Sequence, residues 1–135
     1  MHRSRLATIV IDCPEGDANR GFEFWSRALG RDALPAANPI YSSLRGRVGG
    51  DGGPIVLLQR VPAAQRAVHL DIETDDVGAE VARLERLGAR VKARIRNHVV
   101  MTAPSGHPFC VVPVYRPDFP EKAATWDEQG RPVRG

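Results

Sequence analysis

Thr8-Ile9-Val10-Ile11-Asp12 and, fifty-nine positions later, Ala67-Val68-His69-Leu70-Asp71 are two versions of one pattern. Each is a strand-like run closing on Asp. Each precedes an amphipathic stretch that closes on Leu-Gly, at Leu29-Gly30 in the first and Leu87-Gly88 in the second. Self-similarity at a fixed offset is the mark of a repeated supersecondary unit. The copies differ at one informative place: His69 falls opposite Val10.

Around these runs the order of elements is the same twice. The β-branched stretch Leu6 to Asp12 predicts a strand, broken by Cys13-Pro14-Glu15-Gly16. Asp17 is a good N-cap for a helix from about Ala18 to Leu29, with Phe22, Trp25 and Leu29 on one stripe and Gly30 as its left-handed stop. Strands follow at Tyr41 to Arg47 and Pro54 to Val61, joined by a hairpin loop over the Gly-Gly-Asp-Gly-Gly run at 49–53. The second copy has a strand at Val68 to Glu73 and a helix capped by Asp75 or Asp76. Val77, Val81, Leu84 and Leu87 share one face of that helix. Strands at Arg90 to Ile95, Val99 to Thr102 and Phe109 to Val114 complete it, with a turn at Pro104-Ser105-Gly106. The modules span about 6–62 and 67–114 of a domain at 1–115. The tail, 116–135, lacks periodicity, but Phe119 and Trp126 suit packing on the body or on a partner subunit.

Composition narrows the function classes. A chain of 135 residues with 42% apolar and 26% charged residues suits one ordinary globular domain. No apolar run reaches the ~20 residues that cross a bilayer, and no secretory pattern follows the basic N-terminus. A cytoplasmic protein with no membrane partner is expected. Two cysteines, Cys13 and Cys110, are too few for a disulfide framework. The net charge of +3 rests on arginines that are scattered and not interleaved with aromatic residues, which argues against nucleic acid as a partner.

Taken in order, Phe24-Trp25, Ala28-Leu29-Gly30, Val68-His69-Leu70-Asp71, Asp75-Asp76-Val77, Leu87-Gly88-Ala89-Arg90 and Ala103-Pro104-Ser105-Gly106 before Phe109-Cys110-Val111 carry a resemblance. The chain resembles the vicinal oxygen chelate superfamily, home of glyoxalase I, bleomycin-resistance proteins and extradiol dioxygenases. It is most similar to the glyoxalase-like, bleomycin-resistance-like single-domain branch. The resemblance implies an α+β fold: two βαβββ modules in pseudo-twofold repeat, forming a curled mixed sheet around a cavity, in a protein that commonly forms homodimers. Metal-dependent members place a His, Glu or Gln on the first and last strand of each module, where the ion grips two neighbouring substrate oxygens.

Carried over residue by residue, that pattern leaves few donors. His69 is a plausible ligand, but its counterpart Val10 cannot coordinate. The last-strand position of the second module falls on Cys110, as apt to be a small apolar filler as a thiolate ligand. Aligning Pro54 with Pro108 puts Val56 opposite Cys110; only a shifted register brings up Gln59. Such a set is a poor cage for a divalent ion, so no cofactor is predicted, with a divalent metal as the minority alternative.

Strand alternation puts His69 and Asp71 on one face, ~6–7 Å apart. Asp71 either biases the protonation of His69 or serves the loop into the helix. Tyr41 and Gln59 are candidates to line a ligand, and Cys110 would be a nucleophile only if activated. Two functions follow. In the first, the protein is a module binding a small organic molecule through His69, Gln59, Tyr41, Cys110 and Asp71. In the second, it is a lyase, isomerase or dioxygenase using His69 as metal ligand or general base.

Overall fold

The computed structural model describes residues 1–45, 53–62 and 67–134. The hairpin loop predicted at 49–53 lies, apart from Gly53, outside them. The chain divides into two compact units, Thr8–Val68 and Met1–Ala7 with His69–Gly135. These are called here the first and second modules. The first strand, β1 (His2–Pro14), begins in the second module and continues into the first.

In the first module β1 leads through a single 3-10 turn, Glu15–Asp17, into α1 (Ala18–Leu29). Gly30 ends the helix at φ 64°, in the left-handed region that a Cβ disfavours. Then come β2 (Asp32–Pro35), β3 (Tyr41–Arg45) and β4 (Ile55–Val61). Their order is β2-β3-β4-β1, with β4 parallel to β1 and the other neighbours antiparallel. Leu44, Val56 and Leu58 form the buried core on the α1 side, where Phe22, Trp25 and Ile11 pack against them. The aromatic stripe of α1 therefore holds the helix to its sheet. Phe24, off that stripe, is exposed and meets Trp25 edge-on at 5.1 Å.

The second module repeats the plan with β5 (Val68–Thr74), α2 (Val77–Arg86), β6 (Arg90–Ile95), β7 (His98–Thr102) and β8 (Pro108–Pro113). Its order is β5-β8-β7-β6, parallel between β5 and β8 and antiparallel elsewhere. Asp76 caps α2 by accepting from the Ala79 amide at 3.0 Å. Val81, Leu84, Ala89, Val99, Met101 and Val111 make the core between α2 and the sheet. The chain is thus an α+β protein with mixed sheets, as the resemblance implied.

The tail is ordered in a way its sequence does not advertise. It forms a short helix, α3 (Phe119–Lys122), and strands β9 (Ala124–Trp126) and β10 (Pro132–Val133). β9 pairs antiparallel with the start of β1, His2 opposite Trp126, and Phe119 is buried. Trp126 Nε1 donates to Ser4 Oγ at 2.8 Å. Among the described residues no helix is long and apolar enough to cross a membrane.

Candidate functional site

Because Ile72, Phe109, Val111, Val99 and Met101 point to α2, the alternate residues of the same strands occupy the opposite face. On β5 these are His69, Asp71 and Glu73; on β8, Cys110 and Val112; on β7, His98, Val100 and Thr102. Register fixes their neighbours: Asp71 lies beside Cys110, and Cys110 beside Val100. The first module builds the corresponding row from Asp12, Gln59 and Tyr41, adjacent across β1, β4 and β3.

This register corrects one expectation. Matching Pro54 to Pro108 put Val56 at the Cys110 position, but Val56 belongs to the core facing α1. Since Asp12 stands beside Gln59 as Asp71 stands beside Cys110, Gln59 is the counterpart of Cys110, and Tyr41 that of Val100. The prolines misled because strand β4 starts further before its functional row than β8 does.

At one end of the second module's face lies a cleft of ≈ 360 Å³, lined by Asp71, Asn97, His98, Val112, Pro113, Val114 and Tyr115. Asp71 sits mid-strand with three residues of β5 still to follow, so it does not serve the loop into α2. Thr74 and Asp76 do that, the Thr74 hydroxyl accepting from the Asp76 amide at 3.1 Å. Burial raises the Asp71 carboxyl above its ordinary range, opposed by the nearby His69 and His98. The Cys110 thiol is pushed up to about 11, chiefly by burial and then by Asp71. Burial, Asp71 and Glu73 together raise the Tyr115 phenol, with Arg116 and Arg5 opposing. At neutral pH the thiol and phenol are protonated, hydrogen-bonding groups.

Behind the cleft, Glu73 is fully buried and satisfied. Arg5 Nε donates to one of its oxygens and the Arg116 amide to the other, both at 3.3 Å. Arg5 also donates to Asp118, and Arg116 Nη1 donates to the Ala7 carbonyl at 3.2 Å. This network fixes the chain around Tyr115.

Sequence reasoning missed Tyr115, His98 and Glu73. The β6–β7 turn brings His98 to Asp71. Tyr115 is carried there because the Val114 amide bonds the Thr74 carbonyl at 3.1 Å, prolonging the β8 path beside β5. The His2 ring lies 3.1 Å from the buried Glu80. His107 lies beside the Pro104-Ser105-Gly106 turn, its Nδ1 2.9 Å from Ser105 Oγ on the surface.

A divalent ion at such a site needs three or four converging donors. No group of three His, Cys, Asp or Glu side chains able to hold one occurs among the described residues.

The family model described as a glyoxalase-like domain matches residues 8–112. No curated protein matches the chain. Among solved structures it is similar to a hypothetical protein of Bacillus halodurans C-125, at TM-score 0.60 and 12% identity over 84% of this chain and 96% of that one. It is also similar to a glyoxalase/bleomycin resistance protein/dioxygenase superfamily member of Vibrio splendidus 12B01, at 0.53 and 16% over 82% and 99%. A third likeness, to a structure named as an NAD-dependent benzaldehyde dehydrogenase of Legionella pneumophila, has TM-score 0.57 and 9% identity over 80% and 98%. At these identities the likenesses speak for the fold alone.

Proposed function

The chain belongs to the glyoxalase-like family, and from that premise we propose that it binds a small organic molecule without the help of a metal ion. The ligand's polar end enters the cleft at Asp71, His98 and Tyr115, and its hydrocarbon lies along Val112 to Val114. The observation that carries this reading is Asp71. It is a desolvated carboxyl beside a protonated thiol and a protonated phenol, in an opening whose wall is polar at Asn97 and His98 and apolar along Val112, Pro113 and Val114. His69 and Cys110 flank Asp71 on the same face and orient the ligand; Gln59 and Tyr41 are neighbours on the corresponding face of the first module and form its own candidate contacts. The proposal includes a homodimer in the cytoplasm.

One observation favours a second reading, a metal-independent enzyme. A carboxyl raised by burial and flanked by His69 and His98 is suited to general acid–base chemistry. Asp71 would then take a proton from the bound molecule, and Tyr115 would donate one.

Ligand-observed NMR with a library of small aromatic and polycyclic compounds tests the first reading, alongside metal analysis of protein purified without chelator. Hits that vanish in Asp71→Asn or Tyr115→Phe, with little metal bound, support it. Stoichiometric metal that is lost in His69→Ala overturns it.

A further inference from the structure

Strand β6 carries Arg90, Lys92 and Arg94, and the turn that follows adds Arg96. All four side chains are exposed. No Asp or Glu occurs in the sequence between Glu85 and Asp118, so strands β6, β7 and β8 supply no carboxylate to neutralise them. None of the four makes an ion pair among the described residues. Elsewhere in the module, Arg3, Arg5, Arg83, Arg116 and Arg131 each pair with a carboxylate at 2.5–3.8 Å.

The strand also stands at the end of its module's sheet. β7 pairs one side of it, and among the described residues nothing hydrogen-bonds the other. A free strand edge offers alternating N–H and C=O groups to any extended chain. A few charges on such an edge serve to repel further strands. Four cations in seven residues, none compensated, go beyond that and select by sign.

We propose that the β6 edge is a docking surface for an acidic, extended segment of a partner protein, which adds to the sheet as a further strand. Strand addition supplies main-chain hydrogen bonds, and acidic side chains of the added strand meet Arg94 and Arg96, while Arg90 and Lys92, set off by the bulge, add positive charge along the approach. Ile95, 57% exposed at the same edge, gives an apolar contact. A second copy of this chain is disfavoured, because like charges would face one another across the new pair. Nucleic acid is disfavoured as well. The edge carries no aromatic side chain for base stacking, and its peptide groups would go unused. The register shift between Val91 and Ala93 places the pairing at Ala93 to Ile95 and the turn beyond.

The test uses the full-length protein and a fluorescein-labelled octapeptide that alternates Glu with Val or Thr, followed by anisotropy. Saturable binding is expected, weakening as salt rises, with amide shifts concentrated on residues 93–96 in NMR spectra. The combined R90E/K92E/R94E change should cost at least ~10-fold in affinity with unchanged melting temperature, because these side chains are exposed. Should that variant fail to fold, K92E and R96E separately serve the same comparison. The proposal is overturned if no binding is seen, or if charge reversal leaves affinity unchanged. It is equally overturned if a backbone N-methylated peptide or an eight-nucleotide thymidine oligomer binds as tightly.

Discussion

Arg83 lies over Trp126 with its guanidinium 3.8 Å from the ring centroid, and the same guanidinium donates to both oxygens of Glu80, at 2.5 and 3.0 Å. Glu80 is fully buried and is also met by His2. One carboxylate thereby ties together α2, the first residues of β1 and the C-terminal strand β9. Replacing Trp126 by Ala removes the stacking surface and the donor to Ser4. A loss of roughly 2–3 kcal/mol is expected in urea titration. A variant as stable as the parent would show the strap to be dispensable.

Glu80 makes stability depend on pH with a definite sign. Burial alone would raise its carboxyl, but hydrogen bonds from Arg83, Ser4 and His2 outweigh burial and hold it below its ordinary value. A carboxyl depressed on folding stabilises above the unfolded pKa, and that contribution fades as pH falls through the folded one. Thermal melts from pH 7 to pH 3 should show a declining acid limb that flattens in Glu80→Gln. At pH 7 the variant is expected to be less stable by about 3 kcal/mol, because Arg83 is left with no charge partner in a buried setting.

Asp71 behaves in the opposite sense. Its carboxyl is raised on folding, so its ionisation costs stability as pH climbs above the unfolded carboxylate range. Asp71→Asn should therefore stabilise the protein near pH 7, by about 1 kcal/mol or less, and the gain should vanish in acid. The same substitution should abolish ligand binding. A site that raises stability when removed and loses binding at once is the expected signature of a functional carboxyl.

Cys110 should be a slow thiol. With its ionisation displaced to about pH 11, alkylation by iodoacetamide at pH 7.5 is expected to lag a free thiol by well over tenfold. Because Asp71 contributes to that displacement, Asp71→Asn should speed the reaction. Mass spectrometry of the modified peptide reads both effects. Rapid labelling in the parent would mean that the thiol faces open water.

Gly88 closes α2 at φ 106°, and a Cβ there would meet Pro104 Cγ at 3.0 Å. Gly88→Ala is expected to cost about 2 kcal/mol, combining backbone strain with a clash against a ring that cannot swing away. A melting temperature within a degree of the parent would refute this.

The sequence made the repeat legible because the residues that stop each helix, Gly30 and Gly88, and those that face it, Phe22, Trp25, Val81 and Leu84, have few chemical substitutes. It also placed Tyr41 and Gln59 among the candidates, and these prove to be neighbours across β3 and β4. Register was not legible. Strand periodicity fixes which face a residue takes and leaves open how far one strand slides past another. Matching prolines, Pro54 and Pro108, was an unsafe guide to that slide. The tail was opaque for another reason. Trp126 is held by His2, Ser4 and Arg83 and Phe119 lies under Arg3, all far away in sequence, and no local pattern signals such partners. Tyr115 escaped notice with them.

The split of β1, its opening residues paired with β9, has a consequence for synthesis. His2 is translated long before Trp126, its partner. The first module can consolidate while elongation continues, but the second must wait with its earliest segment unsatisfied until the closing residues arrive. Termination before residue 124 would therefore damage the start of β1 as much as the tail.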